Sequence, residues 1–282
     1  MSTDRSLDIL MISYNRPAYT RLALTRLLET CDDTMRVWLW HNGDHAETLS
    51  VTRELASHPR VHQFHHSAEN KRLREPTNWL FQNAKGAYVS KVDDDCLLPD
   101  GWAETLRNAH EAERRLGVIG CWRFLPEDFD PALAAHKIAD FAGGHRVLRN
   151  LWVEGSGYVA KRAALDACGP IRPKESFTGW CIRAARKGFV NGWYYPFIWQ
   201  EHMDDPRVPH SALKTDADLA GNLPLSAINR GVRTLAQWEA QLRQSARTVQ
   251  AAPLNPAYYT PLGRLVRRTL RTIGLSTERR AS

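Results

Sequence analysis

The chain has 282 residues, 43% hydrophobic and 24% charged, a globular composition that excludes disordered, collagen-like and repeat classes and leaves room for an active site. No apolar run reaches the roughly 20 residues of a membrane span, and Met1 to Ser6 lacks the basic-then-apolar layout of a signal peptide, so a cytoplasmic protein is expected. The net charge of +7 gathers at the C-terminus, where Arg264, Arg267, Arg268, Arg271, Arg279 and Arg280 face one acid, Glu278; the nearly neutral remainder argues against nucleic acid.

Leu7 to Ser13 is a short apolar run ending at Tyr14-Asn15-Arg16-Pro17, a strand followed by a turn, and a helical pattern through Leu22, Leu24, Leu27 and Leu28 follows. Arg36 to Trp40 reads as a second strand ending at His41-Asn42-Gly43-Asp44. Glu47 to Ser57 reads as a helix, Val61 to His65 as a third strand and Glu75 to Ala84 as a helix closed by Gly86. Ala87 to Val92 is a fourth strand running into Asp93-Asp94-Asp95. This alternation predicts an α/β fold with a doubly wound, mostly parallel, Rossmann-like sheet, whose ligands bind at the carboxyl ends of the strands, where Tyr14, His41 and Asp93 lie.

Beyond Asp95 the pattern predicts a helix over 100–116, a strand over 118–124, a loop-rich stretch over 126–150 and a strand over 151–160. A short helix over 162–167, a helix over 177–187, an aromatic strand over 189–197 and a polar loop over 200–210 come next. Residues 216–250 are largely helical, and 251–260, with Pro253 and Pro256, read as a linker. The domain plan is thus a catalytic domain at 1–212, with a nucleotide half to about residue 98 and an acceptor half from 99, then a helical extension at 213–250. The linker leads to a basic amphipathic helix and tail at 261–282. Cys31, Cys96, Cys121, Cys168 and Cys181 are odd in number with no C-x-x-C pair, so free thiols are expected rather than disulfides or a zinc site.

Three consecutive Asp after an apolar strand carry chemistry. Strand alternation puts Asp93 and Asp95 on one side and Asp94 on the other. Two carboxylates so placed suit a hard divalent cation, Mg²⁺ or Mn²⁺, that keeps positions open for phosphate oxygens; the bland alternative is an acidic turn before the helix near Pro99.

Several segments then resemble family 2 glycosyltransferases of the GT-A fold. They are the strand before Tyr14-Asn15-Arg16-Pro17, Asn70 eight residues before Asn78, and Ala84-Lys85-Gly86-Ala87-Tyr88-Val89 before the Asp triplet. Pro99-Asp100-Gly101-Trp102, the small-residue run Gly155-Ser156-Gly157-Tyr158, Arg183 to Gly188 and His202 continue the series to about residue 205. The resemblance implies transfer of a sugar from a nucleotide diphosphate sugar to a hydroxyl of a glycan or lipid-linked glycan, with inversion. It implies that Asp95, Asp93 and His202 serve the metal, that Tyr14, Asn15, Arg16, Asn78, Asp93 and Asp94 line the nucleotide sugar, and that Gly157 lines the acceptor side; apart from the resemblance, Trp180 is chosen from the aromatic residues clustered in that half as a platform for a sugar ring. The sequence departs from the pattern twice. Where the second strand usually ends in an acid that contacts the base, it has His41 and Asn42, so Asn42 or Asp44 takes over that contact or the donor does not carry uracil. The usual Glu-Asp pair that supplies the base is absent from Glu175-Ser176-Phe177-Thr178-Gly179-Trp180. Glu175 is the first candidate, Asp204 and Asp205 the alternatives and Glu154 a weaker one.

At the C-terminus, Leu262, Leu265, Val266, Leu270 and Ile273 share one helical face and Arg264, Arg267, Arg268 and Arg271 the other. That pattern suits either an anionic membrane interface at the inner face, through residues 261–275, or docking on protein. Two competing functions are a retaining transferase and a non-catalytic sugar-nucleotide or glycan-binding protein of the same fold, the second favoured by the missing Glu-Asp pair. A nucleotidyltransferase lacks its early glycine-rich phosphate loop here.

Overall fold

A computed structural model describes residues 4–222 and 224–260. The elements in chain order begin with β1 (Leu7–Ser13), α1 (Pro17–Glu29), β2 (Met35–Asn42), α2 (Ala46–Leu55), β3 (Val61–Ser67), α3 (Arg74–Asn83) and β4 (Tyr88–Asp93). The second half continues with β5 (Cys96–Leu97), α4 (Trp102–Ala112), β6 (Leu116–Gly120), α5 (Pro131–Ala134), β7 (Ile138–Asp140), β8 (Arg146–Asn150), β9 (Tyr158–Lys161), α6 (Arg162–Cys168), α7 (Phe177–Arg186), β10 (Val190–Tyr195) and β11 (Glu201–His202). Then come α8 (Asp216–Gly221), α9 (Leu225–Ile228) and α10 (Leu235–Ala251).

β1 is buried along its whole length, as a central strand covered on both faces must be, which is why it reads as a continuous apolar run. Pro17 sits in the first turn of α1, where its missing N–H costs nothing, and Ala23, Leu24, Leu27 and Leu28 press the helix onto the sheet. Nine strands form one sheet in the order β3-β2-β1-β4-β9-β6-β10-β8-β7. β1 to β4 are parallel to one another; β9 lies antiparallel between β4 and β6, β10 parallel to β6, and the β7–β8 hairpin closes the far edge. Only β8 and β9 therefore run against the common direction, and the expected mostly parallel α/β sheet holds.

The reversed β9 positions the site. Because it runs backwards, the chain that enters it lies at the carboxyl ends of β4 and β6. Gly157 N donates to Lys91 O at 2.8 Å and Cys121 N to Gly157 O at 2.7 Å. The strand expected over 151–160 is accordingly only its last part, since Gly155-Ser156-Gly157 forms a turn in which Gly157 has φ +63°.

Other boundaries move for similar local reasons. The helix expected over 100–116 stops at Ala112, because Leu116 already belongs to β6. The loop-rich 126–150 stretch holds the β7–β8 hairpin and the short α5. The stretch expected as a linker packs on the catalytic part, with Tyr259 edge-on to Trp152 at 5.3 Å. In the helical extension Leu213, Leu219, Ala227, Val232, Trp238 and Leu242 form a small core of their own. Ala246 and Val249 of α10 join the main core. The five cysteines are free thiols. No helix of the described residues is long and apolar enough to cross a membrane, and residues 261–275 lie outside the described residues.

Candidate active site

The site is built at the end of β4. Strand geometry stops at Asp93, and Asp94 and Asp95 form a turn, so the alternation expected of the triplet does not extend past its first member. Asp93 turns to Lys91, a buried lysine in the same strand with which it pairs, and its backbone N–H donates to Ser156 Oγ at 2.9 Å. Asp94 and Asp95 share a hydrogen-bonding partner and Asp93 has its own, while Asp93 stays within electrostatic reach of Asp95.

That shared partner is Arg16. Asn15, in the left-handed region at φ +53°, makes the sharp turn after β1 that brings the guanidinium over the acidic turn. Arg16 donates to Asp95 Oδ2 at 2.8 Å, to Asp94 Oδ1 at 3.3 Å and to Asp204 Oδ1 at 2.7 Å. Asp94 also accepts from Tyr14 N and Thr20 Oγ1, both at 3.1 Å, which ties it to α1. Burial alone would make the Arg16 cation costly, but Asp95, Asp204 and Asp94 hold it firmly charged.

The carboxylates divide by environment. Burial opposes the charge on Asp95, yet Arg16 and His202 override it and hold this carboxyl well below the usual range. Asp204, buried and facing Asp95 within hydrogen-bonding range, is pushed well above it. Asp94 is raised to about 6, chiefly by burial. His202 Nε2 lies 3.9 Å from Asp95 Oδ2, and burial, outweighing Asp95, lowers its imidazole to about 4. Its Nδ1 is buried and without a hydrogen-bond partner among the described residues.

A divalent cation fits this set. Asp95 and Asp204 already share the Arg16 guanidinium, and among the described residues the ligand atoms of Asp95 and His202 lie within 4.8 Å of each other, an O,N pair of the kind Mn²⁺ or Mg²⁺ accepts, while Asp204 falls outside that group. Cys96 lies in the same group of potential ligands with Asp95 and His202, but burial keeps its thiol protonated, which makes it a poor ligand.

The other predicted residues fall in different places. Tyr14 is exposed and lies against Gly43, at the carboxyl ends of β1 and β2. Asp44 is exposed and pairs with His66 at 3.1 Å. Asn42 is a correction: its Oδ1 accepts from Trp40 Nε1 and Lys71 N and its Nδ2 donates to Arg72 O, so its amide builds the loop around 71 and 72. Asn78 is another, since both ends of its amide bind the backbone of Ile171, at 2.8 and 2.9 Å.

Trp180 is a third correction. It is fully buried, stacked on Phe177, with its indole N–H on Gly169 O, and so offers no platform to an acceptor. Gly157 does line the turn beside Lys91, and the space a Cβ would fill there is taken by Gln200 Oε1 at 1.8 Å.

The carboxylates weighed as base are bound unequally. Glu175 is gripped by Arg183 at 3.0 and 2.7 Å and accepts from Arg172 N at 2.9 Å; burial works against its charge but these donors bring it below its usual range. Asp205 is held by Arg207 through two side-chain contacts at 2.9 and 2.6 Å, and the same arginine grips Asp128. Glu154 accepts one side-chain hydrogen bond, from Trp193 Nε1 at 2.8 Å, besides one from its own backbone N–H. Sequence reasoning missed Lys91, Ser156 and the indole of Trp238, which donates to Asp204 O at 2.6 Å from α10. No motif marks Lys91 or Trp238, and Ser156, though inside the small-residue run 155–158, carries no mark of its bond to Asp93, because each acts through a fold contact.

The model of the family described as glycosyl transferase family 2 matches residues 8–166. No curated protein matches the chain. Among solved structures it is similar to the mannosyltransferase PcManGT from Pyrobaculum calidifontis, in complex with GDP-Man and Mn²⁺, at 19% identity and TM-score 0.57, covering 98% of this chain and 83% of that one. It is also similar to residues 1–349 of S. aureus TarS, at 12% identity and TM-score 0.54, covering 96% and 76%. At these identities the likeness is one of fold.

Proposed function

The chain belongs to glycosyl transferase family 2, and on that premise we propose that it moves a sugar from a nucleotide diphosphate sugar to a hydroxyl of a glycan or lipid-linked glycan, with inversion. The observation that carries this reading is the convergence of Asp95, Asp204 and His202 under Arg16 at the carboxyl end of β4. The mannosyltransferase of similar fold binds GDP-Man and Mn²⁺, which supports a nucleoside diphosphate and a divalent cation here. Asp95 and His202 would hold the Mg²⁺ or Mn²⁺, with Asp204 beside Asp95 under Arg16, and the ion would supply positive charge for the oxygens of the leaving diphosphate.

Arg16 adds a second cation at the same place. Charge that grows on the diphosphate as the glycosidic bond breaks is met by a guanidinium already oriented, so the transition state gains more than the ground state. Tyr14 supplies an exposed ring for the base, and Asp44 a carboxylate beside it. Residues 261–275, outside the described residues, are proposed on their sequence pattern as the contact with the inner face of a membrane that carries a lipid-linked acceptor.

Calorimetry tests the site. Wild-type protein should bind nucleoside diphosphates only with Mn²⁺ or Mg²⁺, and Asp95→Ala should lose that affinity while keeping its thermal transition. An unchanged affinity contradicts the site. A screen of nucleotide-sugar hydrolysis tests the reaction. The tight Arg183 grip on Glu175 favours a second reading, a sugar-nucleotide binder without turnover; binding without hydrolysis or transfer would select it.

A further inference from the structure

Inversion by direct displacement requires a carboxylate able to take a proton at the acceptor hydroxyl, on the side away from the diphosphate. Resting on the transferase reading above, we infer that this group is Glu154, not Glu175.

Three observations carry the assignment. The first is place. Glu154 stands in the turn that leads into β9, two residues before Ser156, whose Oγ accepts from Asp93 N, and three before Gly157, whose N–H binds Lys91 O. This lacing puts Glu154 on the same edge of the sheet as the acidic turn, on a different segment from the diphosphate side formed by Arg16 and Asp204.

The second is free bonding capacity. Oε2 accepts from the indole of Trp193, which fixes the side chain. The nearest cation, Arg123, has its Nε 3.9 Å from Oε1, beyond hydrogen-bonding distance. Besides the indole and its own backbone N–H, the carboxylate has no close donor, which leaves acceptor capacity for an incoming hydroxyl, and the side chain is 17% exposed, so a hydroxyl can reach it. Burial also raises its proton affinity, with Arg123 opposing.

The third is the condition of its rivals. Glu175 has both oxygens engaged and its proton affinity lowered, Asp205 is locked by Arg207, and Asp204 is committed to Arg16.

The step balances simply. The acceptor O–H proton passes to Glu154 Oε1, and the oxygen lone pair forms the new bond to the anomeric carbon. The bond from that carbon to the diphosphate oxygen breaks, its electron pair leaving with the diphosphate.

The test compares purified full-length wild type, Glu154→Gln and Glu175→Gln, using nucleotide-sugar turnover and calorimetric binding of the nucleoside diphosphate. Glu154→Gln should bind the diphosphate as wild type does and turn over about 10²- to 10⁴-fold more slowly, the range for one general base, while Glu175→Gln stays within tenfold of wild type. If Glu154→Gln fails to fold, Glu154→Asp keeps the charge but withdraws it by one methylene and should still cut turnover at least tenfold. A folded Glu154 variant with wild-type turnover overturns the assignment alone. A wild type that turns over no nucleotide sugar overturns the transferase reading and the assignment with it.

Discussion

Arg16 brings one positive charge to three carboxylates that would otherwise repel one another in a buried turn. Truncating it should therefore cost about 2–3 kcal/mol of stability without metal, less than the 3–5 kcal/mol of a fully buried pair, because 26% of the side chain reaches water. In thermal unfolding, Mn²⁺ should narrow the gap between Arg16→Ala and wild type, since a cation replaces the lost charge; a gap that ignores metal would show that Arg16 does not share these carboxylates with it. How much of this was legible follows from the kind of information involved. The Asp triplet after an apolar run, Arg16 after the first strand and the His202, Asp204 and Asp205 group all stood out as polar groups at strand ends. Their pairing did not, because it depends on where the strand stops and the turn begins. Asn42 and Asn78 misled for the same reason: an amide that binds a distant backbone is indistinguishable in sequence from one that binds a ligand. Trp180 misled because an aromatic residue on a helix has no sequence mark of which face it occupies.

At the scale of elements, α10 ties down both the loop that carries Asp204 and the segment 128–137. Trp238 donates to Asp204 O, Gln250 donates to Asp128 O and accepts from Asp130 N, and Lys137 reaches back to Val249 O. Trp238→Phe keeps most of the packing but leaves the Asp204 carbonyl unpaired, at a cost of about 1–3 kcal/mol. Mn²⁺ affinity, followed by electron paramagnetic resonance, should fall several-fold while the far-ultraviolet dichroism is retained; an unchanged affinity would reduce α10 to a packing element. The β-α alternation of the first half was readable because helix and strand periods differ and each element is long. β7, of three residues, and the reversed direction of β9 were not, since a short strand has little period and its partner is set by contacts distant in the chain.

For the whole molecule, the halves expected on either side of residue 98 share one continuous sheet. The basic segment beyond Thr260 stands apart from that plan in composition. A chain ending at Thr260 should turn over soluble acceptor analogues as the full chain does, yet no longer float with phosphatidylglycerol vesicles. Each lost Arg removes about 1 kcal/mol of salt-screened attraction. A lowered thermal transition in the shortened chain would instead make the segment part of the core. Arg16 and Asp204, which touch in the site, are 188 residues apart in the chain. On the ribosome, Arg16 and the acidic turn of Asp94 and Asp95 emerge well before the loop that answers them. The growing chain thus exposes carboxylates and a guanidinium with no completed cradle, and closing so long a loop costs entropy that only the finished sheet can offset. The proposed cation site is on this account completed late in folding, when the loop of Asp204 closes on Arg16.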